Sequence, residues 1–201
     1  MKTYKRETPD LDAPRAHPWT TAASNPGSRY LDLKAEPQLV RTSLEDFTPW
    51  SGGEAAKTFY LLLEWLNAPD GALESNDCEF TGPHDNPSPQ FRKARECSGR
   101  LMILYRDLSL NLSYPRVEGL EGAVHRHLAR IDPEFEWGAL GTTIMRTQYV
   151  GLPVPAEDQM GYQLMLSFWA WGDTEAETMA HLDRLFGNLF RALRETSAEI
   201  A

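Results

Sequence analysis

RLMILYRDLSLNLS, residues 100–113, decides how the rest of the chain is read. Its first half is solidly apolar, which predicts a strand buried on both faces. Its second half alternates Leu108, Leu110 and Leu112 with Asp107, Ser109, Asn111 and Ser113, so the same strand is expected to continue with one wet face. Outward from this strand, toward the C-terminus, the apolar period changes from two to 3.6. Val117, Leu120, Val124, Leu128 and Ile131 form one stripe, with Pro115 before it and Asp132-Pro133 after it, and predict a helix over about 116–130. GTTIMRTQYVG (141–151) reads as a strand nearer an edge, because it carries Thr, Arg and Gln. MGYQLMLSFWAWG (160–172) is apolar on both faces and reads as a central strand. GDTEAETMAHLDRLFGNLFRALRE then gives a helix with an Asp173 or Thr174 cap, acids in its first turn and arginines in its last. Its seam of Met179, Leu182, Phe186, Leu189 and Leu193 spans about two heptads and is expected to pack on the sheet.

Toward the N-terminus, LESNDCEF (73–80) reads as a further short strand. Capping signals at SLED (43–46) and SGGE (51–54) precede Ala56, Phe59, Tyr60, Leu63 and Leu66, which share a helical face; the helix ends at NAPDG (67–71). RYLDLKAEPQLVRT (29–42) suggests short extended pieces. Residues 1–28 are polar and rich in Pro, Ser and Thr. They read as an extended or flexible arm with Trp19 as a natural anchor, leaving 29–201 as a single α+β domain.

From residue 100 the order is strand, helix, strand, strand, helix. It resembles most of a ferredoxin-like split βαβ unit lacking its last strand, a gap that 73–80 would fill as an antiparallel neighbour. The expected fold class is therefore α+β, an antiparallel sheet with its helices mainly on one face. The likeness is one of topology and carries no function.

The 201 residues, 41% hydrophobic and 24% charged, suffice for a real core. A formal net charge of -9 argues against nucleic acid and anionic membranes, favours solubility and would tolerate a basic protein partner. No stretch approaches the ~20 apolar residues of a membrane helix, and the N-terminus lacks a signal-peptide core. Two cysteines make no disulfide framework, so a cytoplasmic protein with reduced thiols is expected.

Candidate chemistry centres on CEFTGPHDNPSPQFRKAREC (78–97). Cys78, His84 and Cys97 offer soft ligands, but zinc sites usually present paired ligands two to four residues apart, and none are paired here. No metal and no cofactor is expected. A disulfide between the cysteines requires them to flank neighbouring strands at close range. Cys97 has Arg92, Lys93, Arg95 and Arg100 nearby in sequence, which favours a thiolate; Asp77 and Glu79 disfavour one at Cys78. His125 and His127 point about 200° apart on their helix and cannot share a ligand; they read as an exposed and a boundary histidine. The 81–96 loop, at about 16 residues, is the expected recognition surface, with His84, Arg92, Lys93 and Arg95 as its contacts. Arg106 and Arg146 interrupt apolar strands. If they share a face with Gln148 and Gln163, with Asp107 nearby, they form a polar patch able to hold a carboxylate or phosphate. Trp169 and Trp171 share one side of their strand and suit a pocket, an interface or the core beneath the last helix.

Hydrolase, phosphate-loop and dinucleotide motifs are absent from the sequence. The function expected is therefore a non-catalytic binding or interaction protein. It would recognise a protein partner or small anionic ligand, or self-associate; an inhibitor or immunity protein is one concrete version. The alternative is a small-molecule enzyme with a pocket between sheet and loop, using Asp107, Arg106, Arg146 and Cys97 or His84. That alternative requires these side chains to converge. A third reading is a structural subunit strapped by the arm.

Overall fold

The computed structural model describes residues 1–6, 10–18, 31–43, 57–88 and 92–200. In chain order its elements are β1 (Lys2–Lys5), β2 (Asp10–His17), α1 (Leu39–Ser43), α2 (Lys57–Leu66), β3 (Leu73–Asp85), β4 (Arg95–Tyr105), α3 (Tyr114–Ile131), β5 (Gly138–Tyr149), β6 (Met160–Gly172) and α4 (Glu175–Ile200), with 3-10 turns at Leu108–Leu112 and Ala156–Gln159. They form one sheet of order β1-β5-β6-β4-β3, with β2 also on β5. β3, β4, β6 and β5 are antiparallel neighbours, whereas β1 and β2 both run parallel to β5. The class is α+β with a mainly antiparallel sheet. The β4-α3-β5-β6-α4 run has the split βαβ order, and β3 occupies the gap beside β4.

β6 is central because it is apolar on both faces. Leu164, Leu166, Phe168 and Ala170 meet the helices, joined by Leu101 and Ile103 of β4 and Leu140 and Ile144 of β5. α4 lies over the middle of the sheet, with α3 toward β5 and α2 toward β3. The α4 seam of Met179, Leu182, Phe186, Leu189 and Leu193 is buried here, so its apolar period serves the sheet rather than a second helix. Phe168 stands edge-on to Phe186 with ring centres 4.9 Å apart, and Phe59 of α2 lies 4.8 Å from the same ring. Each such buried ring contributes roughly 1.5–3 kcal/mol. Gly99 of β4 makes room for this stack: a Cβ there would lie 2.1 Å from the Glu79 carbonyl oxygen and 2.5 Å from the Phe168 ring. The start of α4 is capped as its sequence indicates. Thr174 Oγ1 accepts from the Glu177 amide, and the Glu177 carboxylate accepts from the Asp173 amide.

The structure departs from the sequence reading at several elements. The alternating half of 100–113 is a 3-10 turn, not a continued strand. The Asp107 carboxylate accepts from the Ser109 amide and hydroxyl, which turns the chain. The buried Asn111 side chain then accepts from the Tyr105 amide at 2.9 Å and donates to its carbonyl at 2.8 Å, supplying both partners that another strand would have offered. Residues 31–43 hold turns and α1 rather than extended pieces. Within the segment read as an arm, residues 2–5 and 10–17 are sheet strands. They sit outside β5, which is thus an inner strand instead of an edge. Of the expected 81–96 loop, residues 81–85 belong to β3 and 95–96 to β4. A bulge between Thr81 and His84 takes up Gly82 and Pro83, and an edge strand tolerates proline there. Trp19, Ser51, Ala56 and the two early capping signals beyond Ser43 lie outside the described residues.

Replacing Asn111 by Ala strands a buried amide and carbonyl of Tyr105. The expected loss is about 2–4 kcal/mol of unfolding free energy, read by urea denaturation; a loss near zero would mean that the turn does not depend on this bridge.

Candidate functional site

The sheet face opposite α2, α3 and α4 sets polar groups among buried apolar ones, Met102, Leu104, Met145 and Tyr149, and divides into a closed and an open half. The closed half begins with the bulge between Ser75 and Asp77, which frees Asn76 to reach across the sheet. Asn76 Nδ2 donates to Gln163 Oε1 of β6 at 2.9 Å, and Asn76 Oδ1 lies 2.7 Å from His17 Nδ1 of β2. His17 Nε2 is 3.2 Å from Glu74 Oε1, and Lys34 Nζ is 3.0 Å from Glu74 Oε2. In a flat sheet of this order β2 and β3 would stand about 19 Å apart. Direct bonds between their side chains therefore require the sheet to coil strongly, which makes this face concave. Burial pushes the Glu74 carboxyl up, but its bonds to His17 and Lys34 outweigh that and hold it below the usual range. Gln163 is fully buried and its Nε2 has no partner among the described residues.

The open half lies nearer the β3–β4 hairpin. In register across β5, β6 and β4 stand Ala139, Trp169 and Ser98, and beside them Gly141, Ser167 and Arg100. Gly141, Ser98 and Ser167 leave a floor of small residues around the half-buried Trp169. Tyr4 of β1 pairs with Gly141 and tilts over it toward Trp169, with ring centres 6.1 Å apart at 56°. A Cβ at position 141 would lie 3.1 Å from the Tyr4 ring. Tyr4 is 47% exposed; partial burial and then the Glu96 charge raise its hydroxyl pKa. Two residues along β4 from Ser98, the buried Glu96 accepts from Trp171 Nε1 at 2.7 Å, and its other oxygen faces His84 Nε2 at 3.6 Å. Arg100 pairs with Asp77 and with Glu79.

The residues singled out from sequence do not converge. Arg106 donates to the carbonyls of Leu66 and Ala68, capping the end of α2, which satisfies orphan acceptors there. Asp107 is exposed and holds the 3-10 turn. Arg146, exposed, and Gln148 point to the helix-side face, since Arg146 lies opposite Tyr162, which packs on the core. Gln163 points the other way. No shared patch of Arg106, Arg146, Gln148 and Gln163 forms. In the hairpin, Lys93 bridges Asp173 and Glu177 and covers the Trp137 ring, and Arg95 bridges Asp85 and Glu175. These cations fasten the hairpin to α4. Arg92 is exposed, with a φ of 51°.

His84 faces Glu96, whereas Cys78 and Cys97 turn to the helix side, which separates the soft ligands. Among the described residues no group of three or more His, Cys, Asp or Glu is placed to hold a metal ion. Cys78 pairs with Leu101, four residues from Cys97 on β4, or about 13 Å along the strand, and both thiols are free. Burial pushes each thiol up to about 12, so the nearby arginines produce no thiolate. His125 is not exposed, as the sequence suggested: its Nε2 lies 2.8 Å from Thr142 Oγ1, which donates to the buried Glu121. His127 is buried between α3 and α4, close to Glu195 and Glu199. Trp169 and Trp171 lie on the face away from α4, not beneath it.

Sequence reasoning passed over Tyr4, Glu96, His17, Asn76 and Glu74. The strict alternation of β6 placed both tryptophans on one face, but nothing local indicated which strands would bring these partners to them. Among the described residues no helix is long and apolar enough to cross a membrane. No family model, no curated protein and no solved structure matches the chain.

Two outcomes test this geometry. His17→Ala removes both cross-face contacts and leaves Glu74 buried with Lys34 alone. It should cost about 2–3 kcal/mol and accelerate amide exchange in residues 10–17; unchanged exchange would show that β2 does not need the clasp. Cys78 and Cys97 should resist alkylation in the native protein at pH 9 and react readily once unfolded, where the thiols return to ordinary values. Fast native labelling would contradict their burial.

Proposed function

We propose that this chain is a non-catalytic binding protein that docks a basic protein partner on the open half of the helix-free face. The observation carrying this reading is the Tyr4–Trp169 pair, with Tyr4 47% exposed, set on a floor of small residues beside the Glu96 carboxylate. Exposed aromatics with adaptable small neighbours are characteristic of protein-binding surfaces. The net charge of -9 favours encounter with a cationic partner. Asp77, Glu79 and Glu96 outnumber Arg100 on the nearby part of this face.

The enzyme alternative is poorly supported. Asp107, Arg106, Arg146, Cys97 and His84 stand in separate places and are used for capping, packing or solvent contact. A small anionic ligand is also less well served, because Arg106, Arg100, Lys93 and Arg95 are already engaged within the chain. Two free, well-separated thiols suit a reducing compartment, and we take the cytoplasm as the place of action.

The test is affinity capture from a lysate of the source cell on immobilised wild type and on Trp169→Ala and Tyr4→Ala columns. A basic protein should be held by the wild type, released by about 0.5 M salt, and largely lost from both variants. Equal retention on all three columns, or no salt-sensitive retention at all, would reject docking on this face.

A further inference from the structure

We infer that the Tyr4–Trp169–Glu96 constellation is a receptor for one arginine side chain of the partner. The inference rests on the docking reading above and specifies its anchor. Glu96 is 7% exposed. A carboxylate so nearly removed from water calls for a counter-charge, yet its contacts are the neutral Trp171 indole N–H at 2.7 Å and His84 Nε2 at 3.6 Å. The latter exceeds hydrogen-bond range.

The orientation of His84 sharpens the point. Its Nδ1 lies 3.0 Å from the Gly82 carbonyl oxygen, which can only accept, so Nδ1 carries the proton. At 3.6 Å Nε2 does not hydrogen-bond the Glu96 oxygen, which leaves that oxygen room for a donor supplied from outside.

Arginine fits this place better than lysine. A planar guanidinium stacks on the exposed Tyr4 ring beside the half-buried Trp169 while directing several N–H donors at one carboxylate. The Ser98 and Ser167 hydroxyls, on the floor beside Trp169, have no partner among the described residues and can take remaining donors. Arg100, the nearby cation across from Ser167, is neutralised by Asp77 and Glu79 and leaves the site acidic.

The experiment titrates N-acetyl-arginine amide into the full chain while the tryptophan indole N–H resonances are followed by NMR, with N-acetyl-citrulline amide as the uncharged analogue of similar shape. The Trp169 and Trp171 signals should shift and saturate in the millimolar range, and citrulline amide should leave them in place. Glu96→Gln keeps an acceptor for Trp171 but removes the charge, and should weaken binding about tenfold. Tyr4→Ala, on an exposed position, should weaken it severalfold without disturbing the fold. No saturable shift, an equal response to citrulline, or unchanged affinity in Glu96→Gln would overturn the inference. If arginine amide fails to bind while the wild-type column still captures a basic protein that both variant columns lose, the docking reading stands and the arginine anchor falls. If arginine amide saturates the site but no protein is captured, the anchor stands and the docking reading falls.

Discussion

The contact between His17 and Asn76 ties together strands at opposite ends of the sheet order. Four strand spacings would separate them in a flat sheet, so the bond is met only when the sheet coils. The coil gives the molecule two unlike faces, one convex beneath three helices and one concave, where polar groups stand among buried apolar ones. Buried polar groups are tolerated on the concave side because they answer one another in a chain from Lys34 through Glu74, His17 and Asn76 to Gln163.

The division of charge follows from the same arrangement. Most cations that looked available in the sequence have structural duties within the chain. Arg106 answers carbonyls at the end of α2, and Lys93 and Arg95 hold the β3–β4 hairpin against the first turn of α4. These bonds leave the concave face with more acid than base. The Tyr4–Trp169 pair therefore sits in a negative field.

Those elements whose signal was local were legible in the sequence. The stripes of α3 and α4, the double-sided β6 and the Thr174 cap each depend on residues close together in the chain, and each formed. The pattern of 107–113 misled because alternation describes a strand only if the backbone stays extended. Asp107 bends it, and Asn111 satisfies the vacant edge with its side chain. The site was illegible for a different reason. Tyr4 reaches Trp169, and His17 reaches Glu74, only through the pairing of β1 and β2 with β5, and short polar strands carry little apolar signal to announce that pairing. Arginines within apolar runs were conspicuous, but a guanidinium can be conspicuous because it caps a helix.

The parallel edge has a consequence for the order in which the molecule assembles. Lys2 pairs with Ala139 and His17 with Tyr149, so these strands are synthesised long before the strand that receives them. At roughly 5–20 residues per second the N-terminal segment waits several seconds on the ribosome before β5 emerges, and it cannot dock until β6 has given β5 a neighbour. Its polar composition suits that interval, since an apolar segment left waiting would invite aggregation. The aromatic cluster is thus among the last features to form, completed only when residues 2–5 and 10–17 close onto the finished sheet.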